Sequence, residues 1–214
     1  MSVQARRLTL SLATAALLWF YMFSPWTAGW PNFWLVMCCS AVVLTSLALS
    51  FTDNWRDLLR VEKPLWQLLG GVAIAWALWG IFWVGDKASA FLFSFARPGV
   101  DAVYAMKSGM APGEIAVLLL VLIGPAEELF WRGYVQRTLS QLLPGPRAAD
   151  LAFVCTALIY ALVHIWSFNF MLIMAALVAG AVWGLLYRLC PKALPALIVS
   201  HALWDALVFV FLPI

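Results

Sequence analysis

Apolar residues fill this chain in long blocks, without the strict alternation of a half-buried strand or the narrow stripe of a helix facing water. A bilayer hydrocarbon core is roughly 30 Å thick and needs about 20 apolar residues per helix. Scanning for runs of that length predicts seven spans, at about 8–23, 33–51, 65–84, 114–136, 149–166, 170–187 and 194–211. The connections between them are short except 85–113. There Phe91, Phe93, Phe95, Val100, Val103, Tyr104 and Met106 alternate with Lys87, Arg97, Asp101 and Lys107. That interleaving predicts an amphipathic segment lying on the membrane surface. With no internal repeat and no low-complexity tract, a single integral membrane domain over 1–214 is expected, an all-α transmembrane helix bundle.

Composition agrees with the pattern. The 214 residues are 65% hydrophobic and 11% charged, far from the roughly 25% charged residues of a soluble domain. Thirteen Trp predict an interfacial belt, because an indole has an apolar ring and one polar N–H. A net charge of +3, scattered along the chain, excludes nucleic acid as an expected partner and leaves the lipid bilayer. With the N-terminus inside, the inner loops hold Arg6, Arg7, Arg56, Arg60, Lys63, Arg132, Arg137, Arg147, Arg188 and Lys192, and the outer ones only Lys87, Arg97 and Lys107. This asymmetry predicts a cytoplasmic N-terminus. The stretch after Arg6 and Arg7 resembles a signal peptide, but another apolar run follows Pro25 without a small-residue cleavage site, so an uncleaved first span is expected. Cys38, Cys39, Cys155 and Cys190 lack C-x-x-C spacing and read as packing residues.

Against this apolar background six ionisable residues stand out. Each costs at least roughly 2.5–3.5 kcal/mol near the middle of a span, so each calls for a partner, a wet cavity or a function. They are Glu127, Glu128 and Arg132 on the fourth span, His164 on the fifth, and His201 and Asp205 on the seventh. Residues four apart share a helix face. Glu128 therefore faces Arg132, His201 faces Asp205, and Tyr160 lies one turn before His164. Glu127, about 100° round its helix from Glu128, is left to point into the bundle as an unpaired carboxylate. Pro125 removes a backbone donor, freeing the Val121 carbonyl and kinking the helix beside Gly124. Gly180 and Gly184 form a small-x-x-x-small pair that admits a close neighbour. Blander roles exist for each: a packing histidine, a structural Glu128–Arg132 pair, an Asp205 that only holds the His201 ring. Jointly, six costly residues on three helices are hard to explain by stability, since buried charge is poor glue.

The stretch Pro125-Ala126-Glu127-Glu128-Leu129-Phe130-Trp131-Arg132-Gly133 resembles the E-E-x-x-x-R motif of the CAAX-protease and bacteriocin-processing (CPBP) family of intramembrane endopeptidases. Tyr160-Ala-Leu-Val-His164 resembles its F-x-x-x-H motif, with Tyr for the usual Phe. His201-Ala-Leu-Trp-Asp205 resembles its H-x-x-x-N/D motif, with Asp where the prenyl endopeptidases usually have Asn. The resemblance covers about 114–211, and the N-terminal half carries no signature.

The resemblance and the chemistry together imply hydrolysis of a peptide bond near the C-terminus of a membrane-anchored protein or peptide, with no cofactor required. Glu127 and His164 would activate water, His201 and Asp205 would hold the oxyanion, and Glu128, Arg132 and Tyr160 would support them. An ionised Asp205 cannot donate, so it would serve the oxyanion only in its protonated form and otherwise orients His201. A divalent metal held by Glu127, His164 and His201 is the alternative mechanism. A proton-coupled transporter and a non-proteolytic immunity or partner-binding member are the alternative functions. Rise per residue places Glu127 and His164 about 10 Å apart in depth, the one geometrical conflict in this expectation. The setting implied is a bacterial or archaeal inner membrane.

Overall fold

The computed structural model describes residues 1–27, 29 and 32–214. Among them the regular structure is helical throughout: α1 (Val3–Phe23), α2 (Phe33–Phe51), a single turn α3 (Trp55–Leu58), α4 (Pro64–Leu92) and α5 (Ala96–Ala105). There follows a continuous helical run in which α6 (Pro112–Leu118), α7 (Gly124–Glu128) and α8 (Arg137–Leu142) are joined by π-helical turns at Leu119–Ile123 and Leu129–Gln136. Then come α9 (Ala148–Leu162), which tightens into a 3₁₀ turn over Val163–Ser167, α10 (Phe170–Leu189), and α11 (Leu194–Ala206) with a π turn over Leu207–Phe211.

Helix starts follow local chemistry. Ser2, Asn32 and Asn169 accept backbone N–H groups of the first turns of α1, α2 and α10. Prolines, which lack the N–H that would be orphaned there, occupy the first turns of α4, α6 and α11. Five helical stretches are long and apolar enough to cross a bilayer: Phe33–Phe51, Pro64–Leu92, Ala148–Ser167, Phe170–Leu189 and Pro191–Phe211. The remaining two expected spans are also helical, but α1 carries Arg6 and Arg7, and the run 112–142 carries Glu127, Glu128, Arg132 and Arg137. Large apolar side chains such as Leu17, Val42, Trp66, Trp76 and Leu158 point outward, as a lipid-facing surface requires.

Of three expectations, the first and third are corrected, and the second, at Pro125, gains detail. First, α4 continues to Leu92, past the expected end at 84, because 85–92 contains no proline and its Asp86 is neutralised. Arg97 reaches Asp86 at 2.6 Å and Lys87 at 3.1 Å. The interfacial segment thus shrinks to α5, whose Val100, Val103 and Tyr104 face inward. Second, at Pro125 the helix changes hydrogen-bond register, going into a π turn just before Gly124, a feature frequent at functional sites. Third, the tryptophans are not only a belt: Trp19, Trp34, Trp131, Trp183 and Trp204 are buried, whereas Trp26, Trp55, Trp66, Trp76 and Trp83 are exposed. Trp30 lies outside the described residues.

Two close helix crossings set the site. α11 packs on α4 and on α7. At Gly124 a Cβ would lie 2.6 Å from Ala202 Cα and 2.7 Å from its N, so backbone meets backbone there. α10 packs on α9, and a Cβ at Gly180 would lie 2.8 Å from the Tyr160 ring. α1 packs against α2 and the 3₁₀ turn that carries His164.

Gly124→Ala should therefore force α7 away from α11 and lower stability by about 1–3 kcal/mol, read as a fall in the detergent unfolding midpoint. Gly80→Ala, where a Cβ meets open space, should stay within about 0.5 kcal/mol of the native chain.

Candidate active site

The polar residues singled out on three helices come together, and they do so through contacts that spacing alone did not specify. Glu128 is fully buried. Its Oε1 accepts from Arg132 Nη1 at 2.9 Å, as helical spacing requires, and also from His201 Nδ1 at 2.7 Å. One carboxylate oxygen thus links the run 112–142 to α11. Arg132, equally buried, sends Nη2 to the Gly180 carbonyl at 3.2 Å, tying in α10. Its guanidinium lies between the rings of Tyr160 (5.1 Å) and Trp183 (5.5 Å), a cation–π arrangement that suits a desolvated Arg.

His201 stacks on Trp183 at 3.9 Å with 17° between the planes, and Trp183 is anchored by its indole N–H to Ser200 Oγ at 3.0 Å. With Nδ1–H given to Glu128, His201 Nε2 points toward Asp205, whose Oδ2 is 3.4 Å away. That is long for a charge-assisted bond, which runs about 2.7–2.9 Å, so Nε2 keeps room for a second partner.

Glu127 Oε2 accepts the Tyr160 hydroxyl at 2.7 Å. Among the described residues Oε1 has no hydrogen-bond partner, and Glu127 retains 8% exposure. The expected depth conflict is relieved because Tyr160, one turn of about 6 Å before His164, makes the contact to Glu127. His164 is engaged on both nitrogens: Nδ1 faces the Tyr160 carbonyl at 2.8 Å, and Nε2 faces the Trp19 indole N–H at 3.1 Å. A carbonyl only accepts and an indole N–H only donates, so the neutral Nδ1–H tautomer follows. In donor order, Trp19 gives to His164, His164 to the residue 160 carbonyl, and Tyr160 to Glu127.

A cavity of about 450 Å³ runs along this wall. Glu127, Tyr160, His164, His201 and Asp205 line it on one side. Apolar side chains of α2, α4, α5 and α10, among them Trp34, Phe82, Val103 and Met174, line the rest. Asp86 and Ser89 are polar groups farther along α4. The N-terminal half, which shows no motif, thus supplies Trp19 behind His164 and much of the cavity. Trp19 was hidden among thirteen tryptophans. Asp86 was hidden in a stretch that reads as a surface segment, although the four-residue spacing of its partner Arg97 from Asp101 hinted at an ordered ion network.

A metal site built from Glu127, His164 and His201 would need converging free lone pairs. Here both His164 nitrogens are engaged and His201 Nδ1 is turned to Glu128. Among the described residues no three His, Cys, Asp or Glu side chains gather as ligands, so this side-chain arrangement does not fit the three-ligand alternative.

Removing the cation that neutralises Glu128 leaves a buried, uncompensated carboxylate. Arg132→Met should cost about 3–5 kcal/mol of stability in thermal unfolding, with part recovered by adding Glu128→Gln. The side-chain ¹⁵N spectrum of His164 should show the Nδ1–H tautomer, and Trp19→Phe should shift the Nε2 resonance as its donor is lost.

Comparison with curated proteins gives no match, and neither does comparison with solved structures. A family model described as type II CAAX prenyl endopeptidase Rce1-like matches residues 112–207. The matched segment contains Glu127, Glu128, Arg132, Tyr160, His164, His201 and Asp205, the polar wall of the cavity. Over these residues, a little under half of the chain, this integral membrane protein is similar to the Rce1-like type II CAAX prenyl endopeptidases.

Proposed function

We propose that this protein is an intramembrane endopeptidase that hydrolyses a peptide bond near the C-terminus of a membrane-associated protein or peptide, with Glu127 as the group that takes a proton from water. The observation that carries this reading is the state of Glu127: one oxygen is tied to Tyr160, and the other is accessible on the wall of a largely apolar cavity. The family match, to a group of proteases, supports the reaction class.

Peptide hydrolysis without a nucleophilic side chain needs a base for water, a donor for the tetrahedral oxyanion and an acid for the leaving amine. Water attacks the scissile carbonyl carbon as Glu127 Oε1 accepts its proton. His201, held by Glu128 at Nδ1, turns Nε2 toward the cavity, where its second proton meets the developing oxyanion beside Asp205. Collapse of the intermediate breaks the C–N bond, and Glu127 returns the proton to the amine. His164 contributes a contact to the water only by exchanging Trp19 at Nε2. Cavity walls of Trp, Phe, Met and Val suit a substrate segment that arrives from lipid. The excess of Lys and Arg on one side, which persists without the buried Arg132, supports a cytoplasmic N-terminus, and we read the setting as a prokaryotic inner membrane.

The test is cleavage of a panel of membrane-anchored C-terminal peptides by the native chain and by Glu127→Gln, each with and without a chelator. Cleavage should fall by roughly 10²–10⁴-fold in the variant and persist with chelator. Undiminished cleavage by the variant removes Glu127 from the chemistry, and loss with chelator alone turns the mechanism to metal.

A further inference from the structure

A glutamate carboxyl group turns about a broad, roughly two-fold terminal torsion, so a catalytic Glu in an apolar cavity aims neither oxygen unless something holds one. In this chain that group is identifiable. Tyr160 donates its hydroxyl to Glu127 Oε2 at 2.7 Å, within the short range of O–H donors to carboxylates.

Tyr160 has little freedom of its own. It is 6% exposed, and its ring lies 5.1 Å from the Arg132 guanidinium and 5.2 Å from the Trp131 ring, edge-on. The ring also fits against Gly180, where a Cβ would come within 2.8 Å. The backbone is clasped as well, since the residue 160 carbonyl accepts His164 Nδ1–H at 2.8 Å. A phenylalanine would fill the same space and leave Oε2 without a donor.

We propose that Tyr160 is the positioning residue of the base: its hydroxyl occupies Glu127 Oε2 and so presents Oε1 to the cavity. The assignment rests on the reading of Glu127 as the group that activates water. It makes this site dependent on a hydroxyl that the usual Phe of the corresponding family motif does not supply.

The experiment compares the native chain, Tyr160→Phe and Glu127→Gln, using kcat and KM for a cleaved membrane peptide and the infrared carboxyl band that disappears in Glu127→Gln. Tyr160→Phe should lower kcat roughly tenfold with KM within about twofold, the loss of one hydrogen bond to a charged group at the reacting centre. The Glu127 band should shift in the same variant, a readout that needs no substrate. An unshifted band, an unchanged kcat, or a raised KM at constant kcat overturns the assignment while leaving the base in place. Full activity in Glu127→Gln would instead remove the underlying reading, whatever Tyr160→Phe does.

Discussion

The polar network that joins the helices at the site is arranged around one buried carboxylate oxygen. Glu128 Oε1 takes hydrogen bonds from Arg132 and His201, and through them it joins the run 112–142 to α10 and α11. Desolvating a carboxylate and a guanidinium costs several kcal/mol per ion, and their mutual attraction offsets this only with good geometry and further partners. Most of those partners are present: two aromatic faces for the guanidinium, the Gly180 carbonyl, and an imidazole pinned by stacking on Trp183, while among the described residues Glu128 Oε2 and Arg132 Nε find none. The pair therefore specifies how three helices meet more than it adds to net stability.

From that anchor the two neighbouring acids acquire different roles. Glu128 and Glu127 are adjacent in sequence but separated by about 100° on the helix. The first faces the protein interior and is saturated at Oε1, and the second faces the cavity with one oxygen held and the other accessible. Environment thus divides a pair of identical residues into a brace and a reactive group. His201 carries the same division within one ring, with Nδ1 committed to the brace and Nε2 turned toward Asp205 and the cavity.

Small residues make the arrangement reachable. Gly124 lets α7 touch the backbone of α11 at Ala202, which brings Glu128 to His201, and Gly180 lets the Tyr160 ring lie against α10. The aromatic side chains then fill the space around the charges. Trp19, Trp131 and Tyr160 belong to one apolar cluster, Trp183 and Trp204 to another, and the charged network runs between them. Over the cavity, α5 is fastened by its ion pairs and the turn after it by the hydrogen bond of Lys107 to the Phe209 carbonyl, with only Ala96 of the helix buried.

The sequence by itself determined that this is a bundle of membrane helices, because long apolar blocks admit no other structure that satisfies backbone hydrogen bonds in lipid. It also determined which residues were too costly to be incidental, and helical spacing alone paired Glu128 with Arg132 and released Glu127. Partners on other helices were beyond that reach. Spacing says nothing about which helix lies beside which, so the bonds from His201 to Glu128 and from Tyr160 to Glu127, and the capture of His164 by Trp19, were decided only in the tertiary structure. The same holds for Asp86, whose burial depends on Arg97 arriving from α5. Periodicity reports the face a residue occupies, and packing alone decides what that face meets.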